Sequence, residues 1–105
     1  MRFVTHTTDN NTQHYITVAA DALAATGAHI PQRLSTDQLL LVLSDLATIA
    51  GLVGELATRT RRQLAAWATV GAHLNQAEQH ATDLHRSLNH ACATFAFSTH
   101  PPTAA

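Results

Sequence analysis

The sequence predicts an all-α protein, in which a short N-terminal helix packs on a long α-helical hairpin to form a three-helix bundle. The main observation is a seven-residue repeat that runs from Ser35 to about Phe97 with the 3,4 spacing of helices packed side by side. Only two members of this repeat, Thr60 and Gln63, are polar. One series comprises Leu39, Leu46, Val53, Thr60, Trp67, Leu74, Ala81, Leu88 and Phe95, and the other comprises Val42, Ile49, Leu56, Gln63, Val70, Ala77, Leu84 and Ala91. We call this pattern the heptad seam.

Composition is the second observation. The 105 residues are 46% hydrophobic, with much of that fraction alanine, and only 5% aromatic and 12% charged. A chain of this length forms one domain at most and buries a thin core. The formal net charge of -1 provides no overall field that would attract nucleic acid or an anionic membrane.

Features that report on the cellular compartment are few. The single cysteine, Cys92, excludes an internal disulfide. The longest apolar run, Leu39 to Leu43, is far shorter than a membrane span, and the N-terminus does not have the pattern of a signal peptide. We therefore expect a cytoplasmic protein that does not contact a membrane.

The first helix is predicted over residues 12–26, after a flexible arm at residues 1–11. Asn11 or Thr12 is suited to cap it, and Gly27 is placed to end it in the left-handed conformation. Pro31 breaks the chain before the next helix. The apolar stripe of this first helix comprises Ile16, Ala19, Ala20 and Leu23.

The second helix has a strong start signal at Ser35. Gln38 lies three residues after this candidate N-cap, which is a capping box, and Leu34 and Leu39 can form a hydrophobic staple. Beside the heptad seam, this helix carries a second stripe, made of Leu40, Ala47, Gly51 and Gly54. Two glycines inside a helix suggest close approach of another backbone. We expect the alanine-rich first helix to fold back antiparallel onto this stripe.

The polar stretch at residues 57–63 leaves two structures open. In the favoured one, the chain turns there and gives helices over about 36–57 and 62–96, followed by a disordered tail at 98–105. In the alternative, one continuous coiled-coil helix runs for about 60 residues, roughly 90 Å, and needs partners along its length. Phase retention across the gap favours the continuous helix, whereas the usual length of helices favours the turn.

Candidate functional residues are sparse. The apolar positions around the middle of the seam predict an interaction surface, and Trp67 suggests a bundle wider than two helices or a groove filled by a partner. The residues of this surface are Leu46, Ile49, Val53, Leu56 and Trp67. A weaker candidate is a phosphate-binding cluster of Arg59, Arg61 and Arg62.

Motifs for chemistry are weaker still. His80 and Asp83 have the spacing of two metal ligands on a helix but lack further partners, so no metal or cofactor is predicted. Arg86 and His90 resemble the arginine–histidine pair of helical HEPN-type nucleases, but their spacing departs from that motif. No catalytic triad or carboxylate pair is recognisable, which favours a protein that is not an enzyme.

In length and helicity the chain resembles the WXG100 (ESAT-6-like) group of helical hairpins, whose signature is Trp-x-Gly in the turn. Trp67 is followed by Gly71 with three residues between, so that signature is not met. In composition the chain is similar to small Ala/Thr/His-rich helical proteins of high-GC actinobacteria, which are often carried on plasmids and integrative elements. This resemblance implies a bacterial origin and no particular activity.

These observations favour a non-enzymatic interaction or self-assembly module that binds itself or another helical protein. The alternatives are a nucleic-acid-associated regulator and a metal-binding or nuclease-like bundle.

Overall fold

Three helices make up the computed structural model, which describes the backbone of residues 2–99 and the side chains of residues 11–98. They are α1 (Arg2–His29), α2 (Thr36–Gln63) and α3 (Ala68–Thr99). The all-α class is therefore confirmed, and α2 and α3 pack together as an antiparallel hairpin. The chain divides into two units, one ending at Arg33 and the other beginning at Leu34. Each is described by itself.

The first unit consists of α1, which is longer than the sequence predicted. Its backbone is helical from Arg2, where a flexible arm was expected, and it continues to His29 instead of ending at Thr26. Gly27 lies inside the helix, and no glycine of the described residues has a positive φ, so the predicted left-handed cap is wrong. The chain leaves the helix just before Pro31, whose ring disfavours helical backbone at the preceding residue.

The start of α2 is the one predicted. The backbone N–H of Gln38 donates to Ser35 Oγ (3.1 Å), and the backbone N–H of Ser35 donates to Gln38 Oε1 (3.0 Å). This capping box satisfies two N–H groups that have no partner within the helix, and Asp37 in the first turn suits the helix dipole.

The hairpin turn lies later than predicted. The helix continues through the polar stretch to Gln63, and the chain turns over residues 64–67, with hydrogen bonds from Leu64 N to Arg61 O and from Trp67 N to Leu64 O. The predicted break at 57–63 is therefore displaced, and the continuous helix is excluded. The polar residues remain helical because Thr58 and Arg61 face α3 and find a partner in Glu78. A disordered tail was predicted at residues 98–105. Its first two residues belong to α3, which extends to Thr99, and the remainder of the predicted tail lies outside the described residues.

The two faces of α2 are used in the opposite way from the prediction. The small-residue stripe, which we expected the first helix to cover, lies against α3. The heptad seam of α2, which we expected to hold the hairpin together, is left beside the contact, with Val53 53% and Leu56 51% exposed. In α3 the seam series through Leu74, Ala81 and Leu88 does face α2.

The core of the hairpin is thin. The buried residues of the described part are all alanines, and no large side chain there is fully buried. Alanine contributes little apolar area, and hairpins of this size rarely gain more than a few kcal/mol from one core. The hairpin therefore depends on close backbone approach and on polar contacts across α2 and α3. The buried residues are Ala47, Ala50 and Ala81.

Replacing the N-cap should measurably weaken the hairpin. The Ser35→Ala variant loses the hydrogen bond from the Gln38 backbone N–H to Ser35 Oγ but keeps the backbone N–H that donates to Gln38 Oε1. We expect the free energy of unfolding to fall by about 1 kcal/mol. Ser87→Ala is the matched control, because Ser87 is an exposed serine within α3. Urea denaturation followed by circular dichroism measures both. Equal stability of the two variants would contradict a role for the cap.

Candidate functional site

The backbones of α2 and α3 approach closely at two glycines of α2. A Cβ built on Gly54 would lie 3.2 Å from the Cβ of Ala81, closer than side chains normally pack. A Cβ built on Gly51 would lie 3.3 Å from Nδ1 of His85. A side chain at either position would press on α3 at the present distance between the helices, which gives a reason for two glycines inside a helix despite their cost of about 1 kcal/mol each.

His85 uses the space that Gly51 leaves. Its Nδ1 lies 2.6 Å from the backbone oxygen of Ala47, and its Nε2 lies 3.1 Å from Nδ2 of Asn89. Because a carbonyl only accepts, Nδ1 donates to the Ala47 oxygen, and Nε2 is in contact with the Asn89 amide. This histidine was not among the predicted functional residues. The available signal was Gly51 inside α2, which leaves room for a ring from the neighbouring helix.

A polar contact closes the hairpin near its turn. The guanidinium of Arg61 donates to both carboxylate oxygens of Glu78, through Nε to Oε2 and through Nη2 to Oε1 (3.2 Å). Thr58 Oγ1 donates to Glu78 Oε1 at 2.8 Å. The hydrogen bond from Arg61 lowers the pKa of Glu78 below the ordinary glutamate value; burial opposes this effect, and Thr58 adds to it. Glu78 is therefore held as a carboxylate.

These groups lie on one side of the hairpin, in an open cleft of about 390 Å³ that we call the polar groove. Its walls include polar side chains and two carboxylates, Glu55 and Glu78. Each carboxylate is paired with an arginine of α2. In the described part of the chain, every buried side-chain N or O atom has a hydrogen-bond partner, and this includes the atoms of the groove. Its polar lining includes Glu55, Thr58, Asn75, Glu78, Gln79 and His85.

The other side of the hairpin is apolar. Successive helical residues are rotated by about 100°, so Glu55 and Val53 lie on opposite sides of Gly54, which faces α3. Glu55 lines the polar groove, and Val53 therefore lies on the far side. On α3, Thr82 lines the groove and Leu84 lies on the opposite flank of Ala81 by the same reasoning. Val53 and Leu84 are consequently on the same side.

The helical repeat extends this surface along both helices. We call it the apolar face and define it by two heptad lines, of which the six positions on α2 are Leu39, Val42, Leu46, Ile49, Val53 and Leu56, and the three on α3 are Val70, Ala77 and Leu84. Most of the large side chains among them are more than a third exposed, and Val42 and Ile49 are half-buried. The hairpin by itself leaves this face uncovered, and a contiguous apolar surface of this kind marks an interaction site more often than not.

The predicted interaction residues fall in two places. The structure brings Leu46, Ile49, Val53 and Leu56 together on the apolar face. Trp67 is apart from them: it lies in the turn, 58% exposed, and lines a second cleft with Arg62 and Asn75. Since Asn75 also lines the polar groove, Trp67 belongs to that side of the hairpin.

The predicted arginine cluster does not form one patch. Arg61 points towards α3 and binds Glu78, whereas Arg59 pairs with Glu55 on the surface of α2 at 3.1 Å. Among the described residues Arg62 makes no hydrogen bond or ion pair, but it lies close enough to Glu78 to lower the pKa of that carboxyl. Two of the three cations are thus neutralised within the hairpin.

The residues considered for metal binding and nuclease activity are also separate. Asp83 pairs with Arg86 at 3.3 Å on the surface of α3, and His80 is exposed. Within the described residues there is no group of three His, Cys, Asp or Glu side chains that could hold a metal ion.

One finding differs from the expectation that no segment approaches a membrane span. In the described part of the chain, α2 is long and apolar enough to cross a bilayer. The sequence pattern did not predict this, because Ser44 and Asp45 interrupt the apolar run of the helix. A soluble helix can pass the same test, but it then usually lies buried in a core. Only 11% of the apolar window of α2 is buried, which again shows how much of this helix is uncovered.

Comparison with known proteins adds no further constraint: the chain matches no family model, no curated protein and no solved structure. The assignment of function therefore depends on the geometry of the hairpin.

Adding a methyl group should have opposite effects at two glycines. Gly71→Ala should raise the free energy of unfolding by about 0.5–1 kcal/mol, because alanine favours the helix and nothing lies within 4 Å of the new Cβ. Gly54→Ala should not show that gain, and its free energy of unfolding should be lower than that of the unsubstituted protein, because the new Cβ meets Ala81. Urea denaturation compares them, and an equal gain at both positions would contradict the close packing.

Acid should weaken the hairpin through Glu78. Its pKa is lower in the folded state, so the stabilisation is complete above the unfolded glutamate pKa of about 4.3 and is lost as the pH falls through the folded-state value. Glu78→Gln should remove this part of the pH dependence of the unfolding free energy. Glu55→Gln is the control, because Glu55 pairs only with Arg59 on the exposed surface of α2. The same acid dependence with and without Glu78 would disprove this role.

Proposed function

We propose that the protein is a non-enzymatic association module, which works by packing its apolar face against helices of another chain. The partner is a second copy of the protein or another helical protein. The observation that carries this proposal is the apolar face itself: a line of large aliphatic side chains on α2 that α3 does not cover, next to a line on α3.

The energetics of the hairpin support the proposal. A hairpin whose buried residues are alanines has little apolar area to offset the entropy of ordering its chain. Covering a leucine or valine side chain that is half exposed contributes about 1 kcal/mol. Association through several such side chains therefore adds stability of the same order as the hairpin's own core, which couples folding to assembly.

The polarity of the two sides of the hairpin also supports association through the apolar face. The polar groove is lined by charged pairs that are satisfied within the hairpin, and it offers a partner little surface to desolvate favourably. The apolar face carries no charged residue among its nine members. The arginines of the alternative, nucleic-acid-binding function are largely engaged in ion pairs, so no specific observation favours that function.

A charge placed in the apolar face should disrupt assembly. We expect the unsubstituted protein to be larger than a monomer by light scattering and to have a Tm that rises with protein concentration. Val53→Asp should shift the mass towards the monomer and weaken association at least about tenfold, because the carboxylate would have to be buried without a partner. Leu41→Asp is the control, since Leu41 is an exposed residue of α2 (65%, against 53% for Val53) that lies outside the apolar face.

Circular dichroism of both variants shows whether the helices persist. A monomeric mass for the unsubstituted protein, together with a Tm independent of concentration, would argue against self-association. Equal loss of association in both variants would show that the apolar face is not the contact.

A further inference from the structure

We infer that the partner is a second copy of the chain, and that α2 of one copy packs antiparallel on α2 of the other so that two hairpins form a two-fold symmetric four-helix bundle. This inference rests on the proposed function and specifies its partner and geometry. The order of residues along α2, the helix dipole and the area of the apolar face support it.

The residue order on α2 is self-complementary in the antiparallel direction. When Leu46 lies opposite Ile49 of the second copy, Val42 lies opposite Val53 and Leu39 opposite Leu56, and the same pairs recur in reverse. Each of the six apolar positions on α2 then meets an apolar position. The two polar members of the seam, Thr60 and Gln63, fall beyond the Leu39 end of the partner helix, where they remain in water. An isologous contact of this kind closes after two copies and exposes no further surface to propagate.

The helix dipole favours the antiparallel orientation. A parallel pair would align the dipoles of the two copies of α2, which is unfavourable, whereas an antiparallel pair opposes them. Charged side chains do not decide the orientation, because Arg59 and Arg61 are already paired with Glu55 and Glu78 within the hairpin. Asp37 lies on the same side of α2 as Glu55, away from the apolar face.

The area is sufficient for a specific dimer. The exposed side chains of the apolar face, on α2 and α3 together, offer on the order of 600 Å² per chain, so two copies would bury roughly 1,200 Å², which is at the lower end of the range for stable interfaces. The α3 part of this area comes from the line through Val70 and Leu84, which lies on the same side. A lipid surface fits less well, because interfacial helices carry basic residues along the apolar edge, and here the charged residue nearest that edge is Asp45.

Disulfide cross-linking of singly substituted chains tests the arrangement. Cys92→Ser removes the native thiol, and Leu39→Cys and Leu56→Cys are then introduced on separate copies. In the antiparallel dimer, neither variant lies close to its own counterpart, whereas the two are adjacent to each other. After mild oxidation we expect covalent dimers in the mixture of both variants and at most a tenth as much in either variant alone. Leu41→Cys mixed with Leu56→Cys is the matched control and should not cross-link.

The other outcomes overturn the inference and separate it from the proposed function. Cross-linking of each variant with itself would indicate a parallel pair. A protein that is dimeric by light scattering but does not cross-link in the mixture associates in a different register or through a different face, and this inference fails. The proposed function then stands only if Val53→Asp weakens that dimer. A monomer that sediments with phosphatidylcholine vesicles would show that a bilayer covers the apolar face, which would overturn both the inference and the proposed function. A monomer that does not bind vesicles would overturn this inference and leave another helical protein as the proposed partner.

Discussion

The distance between α2 and α3 is the constraint on which the rest of the structure depends. Gly54 against Ala81, and Gly51 against the ring of His85, permit that distance, because a Cβ on either glycine would lie closer to its neighbour than side chains normally pack. At this separation Arg61 and Thr58 reach Glu78, and His85 reaches the backbone oxygen of Ala47. The close approach also determines which residues are used: the small ones lie between the helices, and the large aliphatic ones are left beside them.

Local signals predicted the local structure correctly. The all-α class, the break around Pro31 and the capping box at Ser35 each depend on residues within a few positions of one another, and all are present. The turn was misplaced for the opposite reason. The polar stretch ending at Gln63 reads as a loop when only neighbours are considered, but Arg61 is bound by Glu78, 17 residues along the chain. Helical periodicity compares residues that are three or four positions apart, so it does not reveal a partner at that separation.

The assignment of faces failed because α2 carries two stripes with helical spacing. Hydrophobicity ranks the line of Leu46 and Val53 above that of Ala47 and Gly54, so the large residues were expected to hold the hairpin. In the structure, close packing of small residues and hydrogen bonds across the contact outweigh the area of the large ones. The two glycines signalled a close helix contact, but their sequence neighbours do not identify the helix that makes it. The prediction that α1 packs on the second unit stays a prediction.

A helix with two apolar stripes needs two partners, and this requirement links the fold to the proposed function. In α2 the small-residue stripe is satisfied within the chain by α3, which leaves the larger aliphatic stripe for a second contact. This division has a physical advantage. Glycine and alanine lose little side-chain entropy on packing and need only one precise neighbour, which a covalent hairpin supplies. Leucine and valine gain most from burial, and that gain is needed where association must also overcome the loss of translational freedom. The aliphatic stripe, which gains more free energy from burial, thus lies at the contact with a separate chain, and the small-residue stripe lies at the contact within the hairpin.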